Sequence, residues 1–249
     1  MKTILITGCS SGFGVEIARF FVEKGWRVVA TMRTPRADIL PVSDNLTVLT
    51  LDVRDPDSIR AALDQAGPID VLVNNAGIGW MNVVEGTPAD TLRDLFETNT
   101  FGTIAMMQAV LPQFRERREG VIVNVSSGVT LKPLPLLAAY TASKAAVNAF
   151  TESAAIELAP YGIRLRLVLP GRAPDTSFSQ TARGRLQDEG GFPAPYADFV
   201  KEIFGARERQ GDGLVTHPSD VVAAVWRAAT DPSSPMRIPA GADAVALAA

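Results

Sequence analysis

The chain has 249 residues (26.5 kDa), of which 47% are hydrophobic and 20% charged, so it is globular in composition and neither disordered nor fibrous. A net charge of −3 and a pI near 5.3 argue against a nucleic-acid or anionic-membrane partner, because both need a basic surface. The single cysteine, Cys9, excludes an intrachain disulfide; with no export signal and no apolar run approaching about 18 residues, a cytoplasmic location is expected.

In chain order, the first β-type run covers 3–7 and feeds the turn Thr7-Gly8-Cys9-Ser10-Ser11-Gly12-Phe13-Gly14, after which helical periodicity runs over 15–24. The spacing is G-x-x-x-G-x-G, not G-x-G-x-x-G. Glycines between a strand and a helix permit positive φ and let backbone approach a pyrophosphate held at the helix N-terminus. Gly8, Ser10, Ser11, Gly12, Phe13 and Gly14 are therefore candidate cofactor contacts. Cys9 reads as a small buried filler, or else as a thiol whose modification would disturb binding.

Gly25 closes the first helix and a second strand covers 27–31. At its end a dinucleotide fold chooses its cofactor: an acid there hydrogen-bonds the ribose of NAD, whereas this chain has Met32 followed by Arg33, with Arg36 close by. A guanidinium suits a 2′-phosphate, so NADP(H) is the expected cofactor, with NAD(H) as the lesser option.

The third strand, 46–51, ends at Asp52-Val53, where the acid meets an adenine ring or caps its own turn. Asp55-Pro56 starts a helix over 58–66. A fourth strand, 71–73, leads to Asn74-Asn75-Ala76-Gly77 at the ligand-binding side of the sheet, where the asparagines are expected to brace backbone. Thr87-Pro88 supplies a cap and N1 proline for one long helix over 89–114, and the mixed-sign Arg115 to Glu119 run is a solvated face. Strands over 121–125 and 163–169 flank a helix over 142–158 stopped by Pro160.

Strands alternating with helices predict an α/β fold: a doubly wound, Rossmann-like parallel sheet in three αβα layers, forming one domain over 1–249. The stretch from Arg172 to Gly213 breaks the rhythm, and its aromatics favour a substrate lid at about 172–215. His217-Pro218 leads into a helix over 221–229. The tail 244–249 is small and apolar. No residue cluster suits a metal.

Tyr140-Thr-Ala-Ser-Lys144 carries the chemistry. Residues four apart share a helix face, so the phenol and the ammonium point into one pocket. A charge pair at about 4 Å and an effective dielectric of about 20 is worth roughly 4 kcal/mol, which predicts a Tyr140 pKa lowered by about three units.

Six segments in register carry a resemblance: the Thr7 to Gly14 turn, Asn74-Asn-Ala-Gly77, Asn99-Thr-Phe-Gly102, Asn124-Val-Ser-Ser127, Tyr140 to Lys144, and Pro170-Gly171. In order and spacing they resemble the single-domain short-chain dehydrogenase/reductase family. The resemblance implies that Tyr140 is the catalytic acid or base, that Lys144 lowers its pKa and holds the nicotinamide ribose, and that Ser127 hydrogen-bonds the substrate oxygen. Asn99 would kink its helix and hold a water in a proton relay to Lys144, and Pro170-Gly171 would pass beneath the nicotinamide. Asp52, Val53, Asn75, Ala76 and Gly77 complete the cofactor set. The family's carboxamide-binding threonine falls at Asp175 here, so Thr176 is its stand-in.

The expected activity is hydride transfer between NADP(H) and a carbonyl or secondary alcohol, of the ketoreductase type, on a hydrophobic ketone or aldehyde. The alternative is a non-catalytic nucleotide-sensing module on the same fold. Trp80, Met81, Leu134, Leu136, Leu137, Phe178, Phe192, Tyr196 and Phe199 are candidates to line an apolar substrate pocket. A homodimer or homotetramer assembled through the 89–114 and 142–158 helices is implied by the same resemblance.

Overall fold

The computed structural model describes residues 1–249 apart from Ala37, Asp175 and 210–212, and gives backbone only for Ser177 and 207–209. From the N-terminus, β1 (Thr3–Ile6), α1 (Gly12–Glu23), β2 (Arg27–Met32), β3 (Leu46–Thr50), α2 (Pro56–Ala66) and β4 (Val71–Asn74) form the first half. The second half holds α3 (Ala89–Phe96), a π turn (Glu97–Phe101), α4 (Gly102–Arg117), β5 (Gly120–Val125), α5 (Ala138–Leu158) and β6 (Ile163–Pro170). Beyond it lie α6 (Ser177–Asp188), α7 (Ala197–Arg209), α8 (Pro218–Thr230), β7 (Arg237–Ala240) and α9 (Ala242–Ala248).

All pairings are parallel, in the order β3-β2-β1-β4-β5-β6-β7. This is the expected Rossmann-like sheet with one further strand, β7, at the β6 edge. The direction of winding reverses between β1 and β4, which opens a crevice at the strand C-termini.

The strands alternate between two helix layers, as side chains on a pleated strand must. Ile4, Ile6, Val28 and Val73 pack toward α1 and α8, where Phe21 and Val225 are fully buried. Phe20, Phe21, Trp26 and Trp226 form an aromatic cluster there, with ring centroids 5.1 to 6.0 Å apart. Leu5, Val29, Leu72 and Ile122 face the opposite way, onto Ile59, Met106 and Phe114 of α2 and α4. Each such buried side chain contributes about 1.5–3 kcal/mol.

The caps follow the sequence with small shifts. Asp55 caps α2, its Oδ1 accepting from Asp57 N–H at 2.9 Å, and Pro56 occupies the first turn. Pro88 stands one place earlier than expected, at the N-cap of α3. His217 caps α8, as its place before Pro218 suggested. The Arg115 to Glu119 run is exposed throughout.

One expectation needs correction, and two stretches are more regular than their sequence shows. The helix expected over 89–114 is α3 and α4 joined by the π turn, because one extra residue per turn preserves the apolar period on either side. The 172–215 stretch contains two helices, α6 and α7. The apolar tail forms α9, which packs behind β7.

Candidate active site

The glycine turn is shaped by contacts that leave no room for side chains. Gly8 has φ +75, and a β-carbon on it would stand 2.7 Å from Ala76 Cα; one on Gly14 would collide with the Gly8 carbonyl. Asn75 braces this bend: its Nδ2 donates to the carbonyls of Thr7 (3.0 Å) and Gly8 (3.1 Å). Thr7 Oγ1 in turn accepts from the N–H groups of Asn75 and Ala76, both at 3.0 Å. Asn75 thus braces backbone, as expected of both asparagines, whereas Asn74 Nδ2 donates to the Asn124 side chain at 2.8 Å.

Ser11 is the N-cap of α1, in extended conformation, and its side chain makes no capping bond; the first turn contains no acid. Helix N-termini carry unsatisfied N–H donors and a partial positive charge. An uncapped terminus behind a glycine cradle, with Ser10, Ser11, Gly12 and Phe13 around it, fits a pyrophosphate. Cys9 is wholly buried, its Sγ 3.4 Å from the Ile6 carbonyl, and burial pushes its thiol up to about 12. It is the inert filler.

Around the turn, Arg33 is exposed immediately after β2. Asp52 Oδ1 accepts from the Arg54 N–H at 3.0 Å and pairs with its guanidinium at 3.5 Å, so the acid caps its own turn. Val53 is buried against Gly102. Thr176 is the buried N-cap of α6, and its side chain lies against Gly12, at 3.6 Å from where a β-carbon would stand. Asp175 lies outside the described residues.

Asn99 sits in the π turn, fully buried. The bulge turns its amide inward, where Oδ1 accepts from Ile78 N–H at 2.8 Å while Nδ2 donates to the Ile78 carbonyl (2.9 Å) and to Ser143 Oγ (3.1 Å). Ser143 Oγ donates onward to the Tyr140 carbonyl at 2.8 Å. Asn99 is thereby tied to the first turn of α5.

Ser127, buried after β5, is held by its neighbours: Val129 N–H donates to its Oγ at 3.3 Å and Thr130 Oγ1 to its carbonyl at 2.8 Å. Asn148 Nδ2 supports Thr130 at 2.9 Å. Pro170-Gly171 closes on the same loop, with the Pro170 carbonyl 3.2 Å and Gly171 Cα 3.4 Å from where a Gly128 β-carbon would lie.

Lys144 is buried one turn after Tyr140, and its Nζ donates to the Val125 carbonyl at 3.0 Å. Gly77 marks where the groups meet: a β-carbon there would stand 3.1 Å from Asn99 Oδ1 and 3.4 Å from Lys144 Nζ. A glycine at 77 leaves that space open.

The expected lowering of the Tyr140 pKa is corrected. Burial pushes the phenol up to about 12, with a Ser127 side-chain hydrogen bond acting the other way. Lys144, also desolvated, is pushed down to about 8. Desolvation disfavours each charged form. It dominates here because the ammonium is directed to a backbone carbonyl and neither group stands in water.

Above Tyr140 lies an apolar wall. The Phe178 ring is 5.7 Å from the Tyr140 ring at 55°, and it packs on Gly79 so closely that a β-carbon there would meet it at 2.7 Å. Trp80, Leu95 and Leu186 are buried with Tyr140, and Trp80 Nε1 donates to Thr87 Oγ1 at 3.0 Å. Met81 and Phe192 join this group to Leu136, Val83, Val200 and Tyr196. Leu134 and Leu137 are half-buried outside these clusters, and Phe199 is exposed. Leu186 and Val200 were not anticipated, because α6 and α7 show little periodicity in an otherwise polar stretch, nor was Val83, which lies in the loop between β4 and α3.

Among the described residues, no helix is long and apolar enough to cross a membrane. A family model described as short chain dehydrogenase matches residues 2–186. The chain is 35% identical over 245 residues to the 3-ketodihydrosphingosine reductase of Bacteroides thetaiotaomicron, covering 96% of this chain and 88% of that protein. A short-chain dehydrogenase from Streptomyces avermitilis has a similar structure, with a TM-score of 0.81 at 33% identity, over 100% of this chain and 92% of that one. Another, from Burkholderia cenocepacia J2315 in complex with NADP, gives 0.78 at 28% identity, over 100% and 93%. The chain is an oxidoreductase that belongs to the short-chain dehydrogenase/reductase family.

Proposed function

We propose that this protein is an NADP(H)-dependent carbonyl reductase acting on a hydrophobic ketone or aldehyde. The observation that carries the reading is the meeting of Asn99 and Lys144 at the open space beside Gly77, with Tyr140 one turn before Lys144 and hydrogen-bonded to Ser127, in a chain with an uncapped, glycine-cradled helix N-terminus.

When bound, the nicotinamide supplies the hydride. Gly8, Gly12 and Gly14 with the α1 N-terminus would hold the pyrophosphate, flanked by Ser10, Ser11 and Phe13; Asp52 and Val53 would lie at the adenine end, and Asn75, Ala76 and Gly77 along the path toward the nicotinamide. Pro170, Gly171 and Thr176 bound the nicotinamide end. Negative charge grows on the carbonyl oxygen as reduction proceeds, and Ser127 and Tyr140 donate hydrogen bonds to it. Tyr140 then gives up its proton. With its pKa raised by burial, the phenol is protonated at neutral pH and so can serve as the proton donor in reduction. Lys144, cationic below about 8, stabilises the phenolate left behind, and Asn99 positions the proton return.

The 172–215 stretch acts as the lid, its Phe178 and Leu186 closing an apolar pocket suited to a hydrophobic substrate. The relative from Bacteroides thetaiotaomicron is named for such a keto substrate. Assembly as a homodimer or homotetramer through the α3–α4 unit and α5, where Phe101 of the π turn and Ile156 of α5 are exposed, belongs to the same reading; a monomer mass in solution argues against it.

Incubation with NADPH and a panel of apolar ketones is expected to consume cofactor in proportion to alcohol formed. Tight NADPH binding with no turnover on any ketone or aldehyde would instead favour a nucleotide-sensing module. Arg33 is expected to set cofactor choice: Arg33→Glu places a carboxylate against the 2′-phosphate and should lower kcat/KM for NADPH by about 10-fold to 100-fold while sparing NADH. Equal loss with both cofactors removes Arg33 from that role.

A further inference from the structure

The bend after β6 is held by a residue from the far end of the chain. β6 and β7 pair as far as Pro170 and Ala240, and the next ladder contact, Gly171 N–H to the Ala240 carbonyl, has lengthened to 3.4 Å. A side-chain pair takes over there. Thr216, fully buried, accepts from Gly171 N–H at 2.9 Å, and Asp243 Oδ2 accepts from Arg172 N–H at 2.5 Å. Thr216 Oγ1 donates to Asp243 Oδ1 at 2.6 Å, with the Ala240 carbonyl at 2.8 Å as its other acceptor. Thr216 N–H also donates to the Arg172 carbonyl at 2.8 Å.

The fit is close on every side. A β-carbon on Gly171 would collide with the Asp243 carboxylate, and one on Gly241, at φ +99, with Thr216. Both carboxylate oxygens are used, one by backbone and one by the hydroxyl. Charge-assisted bonds of this kind are shorter and about twice as strong as neutral ones.

We infer that Asp243 is a positioning residue for the nicotinamide half of the cofactor, acting through Thr216 and the Arg172 N–H to fix the Gly171 bend. The inference rests on the reading that Gly171 lies beneath the nicotinamide. Asp243 touches no reacting atom. Its removal frees the Arg172 N–H and takes the carboxylate partner from the Thr216 hydroxyl that holds the Gly171 N–H, in the loop that links β6 to the α6 cover, so the loss falls on the nicotinamide end and spares the adenosine end.

The test uses the full chain and direct binding, by calorimetry, of NADPH and of 2′,5′-ADP, which lacks the nicotinamide. Asp243→Asn keeps the shape and loses one acceptor; the Kd for NADPH is expected to rise about tenfold or more, with that for 2′,5′-ADP unchanged to within about twofold. Thr216→Val should reproduce this, the double variant should be no worse than the worse single one, and Thr216→Ser should bind as the parent does. Equal weakening of both ligands, no weakening of either, or failure of Thr216→Ser to preserve binding overturns the inference. If the parent chain binds neither ligand, the cofactor reading falls and takes this one with it.

Discussion

Tyr140→Phe is expected to lower ketone turnover by about 10³-fold or more while NADPH binds almost as tightly as before. The phenyl ring still fills the space beside Phe178, Trp80 and Leu186, so the apolar wall survives. What is lost is one hydroxyl, which in the proposed mechanism is both a hydrogen-bond donor to the growing alkoxide and the source of its proton. Removing a general acid costs about 10²–10⁴ in rate and removing an oxyanion donor about 10²–10³. Ser127 remains and provides the residual rate. Stability should fall by only about 1 kcal/mol, the worth of one hydrogen bond to Ser127. Steady-state kinetics with a fluorescence titration of NADPH decides the matter: turnover within tenfold of the parent would remove Tyr140 from the chemistry.

Lys144→Met is expected to abolish reduction yet make the protein more stable at neutral pH. Lys144 is buried with its pKa lowered from 10.5 to about 8, so the charge it carries at pH 7 opposes folding by about 3 kcal/mol. Methionine has a similar reach and no charge. Losing the bond to the Val125 carbonyl returns about 1 kcal/mol, leaving a net gain of about 2 kcal/mol and a Tm higher by about 4–8 °C.

The sign is testable by pH. Because the folded pKa lies below the unfolded one, the unfolded chain holds more protons between about 8 and 10.5, and stability should climb as pH rises through that window. The variant should lack this climb. Tyr140, raised from 10.0 to about 12, gives the opposite slope above pH 10, so melts are best compared below it. In the parent, kcat/KM for reduction should decline above about pH 8 as the free enzyme loses the Lys144 charge. A Lys144→Met protein that melts lower than the parent at pH 7 would show that the ammonium is not held at a cost.

Much of the site was legible because its residues sit at the ends of strands in short, spaced motifs. Gly8, Asn75, Ser127 and Gly171 belong to turns whose chemistry is local, and a turn reads directly from its residue types. Asn99 and a kink at it were implied by the resemblance, but that the kink takes the form of a π turn was not. The strand Arg237–Ala240 is four residues long and contains a proline, too little for a pattern. The helix Ser177–Asp188 is dominated by polar residues, and its role emerges only when Phe178 and Leu186 find Gly79 and Trp80. Asp243, just before the apolar tail, carries no signal in the sequence, because its partners are 27 and 71 residues away. The direction of the Tyr140 pKa was misread for a different reason: spacing places a cation on the same helix face but says nothing of how dry that face is.

The chain has three tryptophans, and they are unequally placed. Trp26 and Trp226 lie together in the aromatic cluster beneath α1 and α8, away from the crevice. Trp80 alone stands with Tyr140 under the α6 cover. The molecule therefore carries its own optical reporter. If a reduced nicotinamide binds at Tyr140 as proposed, or Phe178 moves above it, Trp80 is the tryptophan positioned to respond most strongly, so its emission can report either event without an attached label.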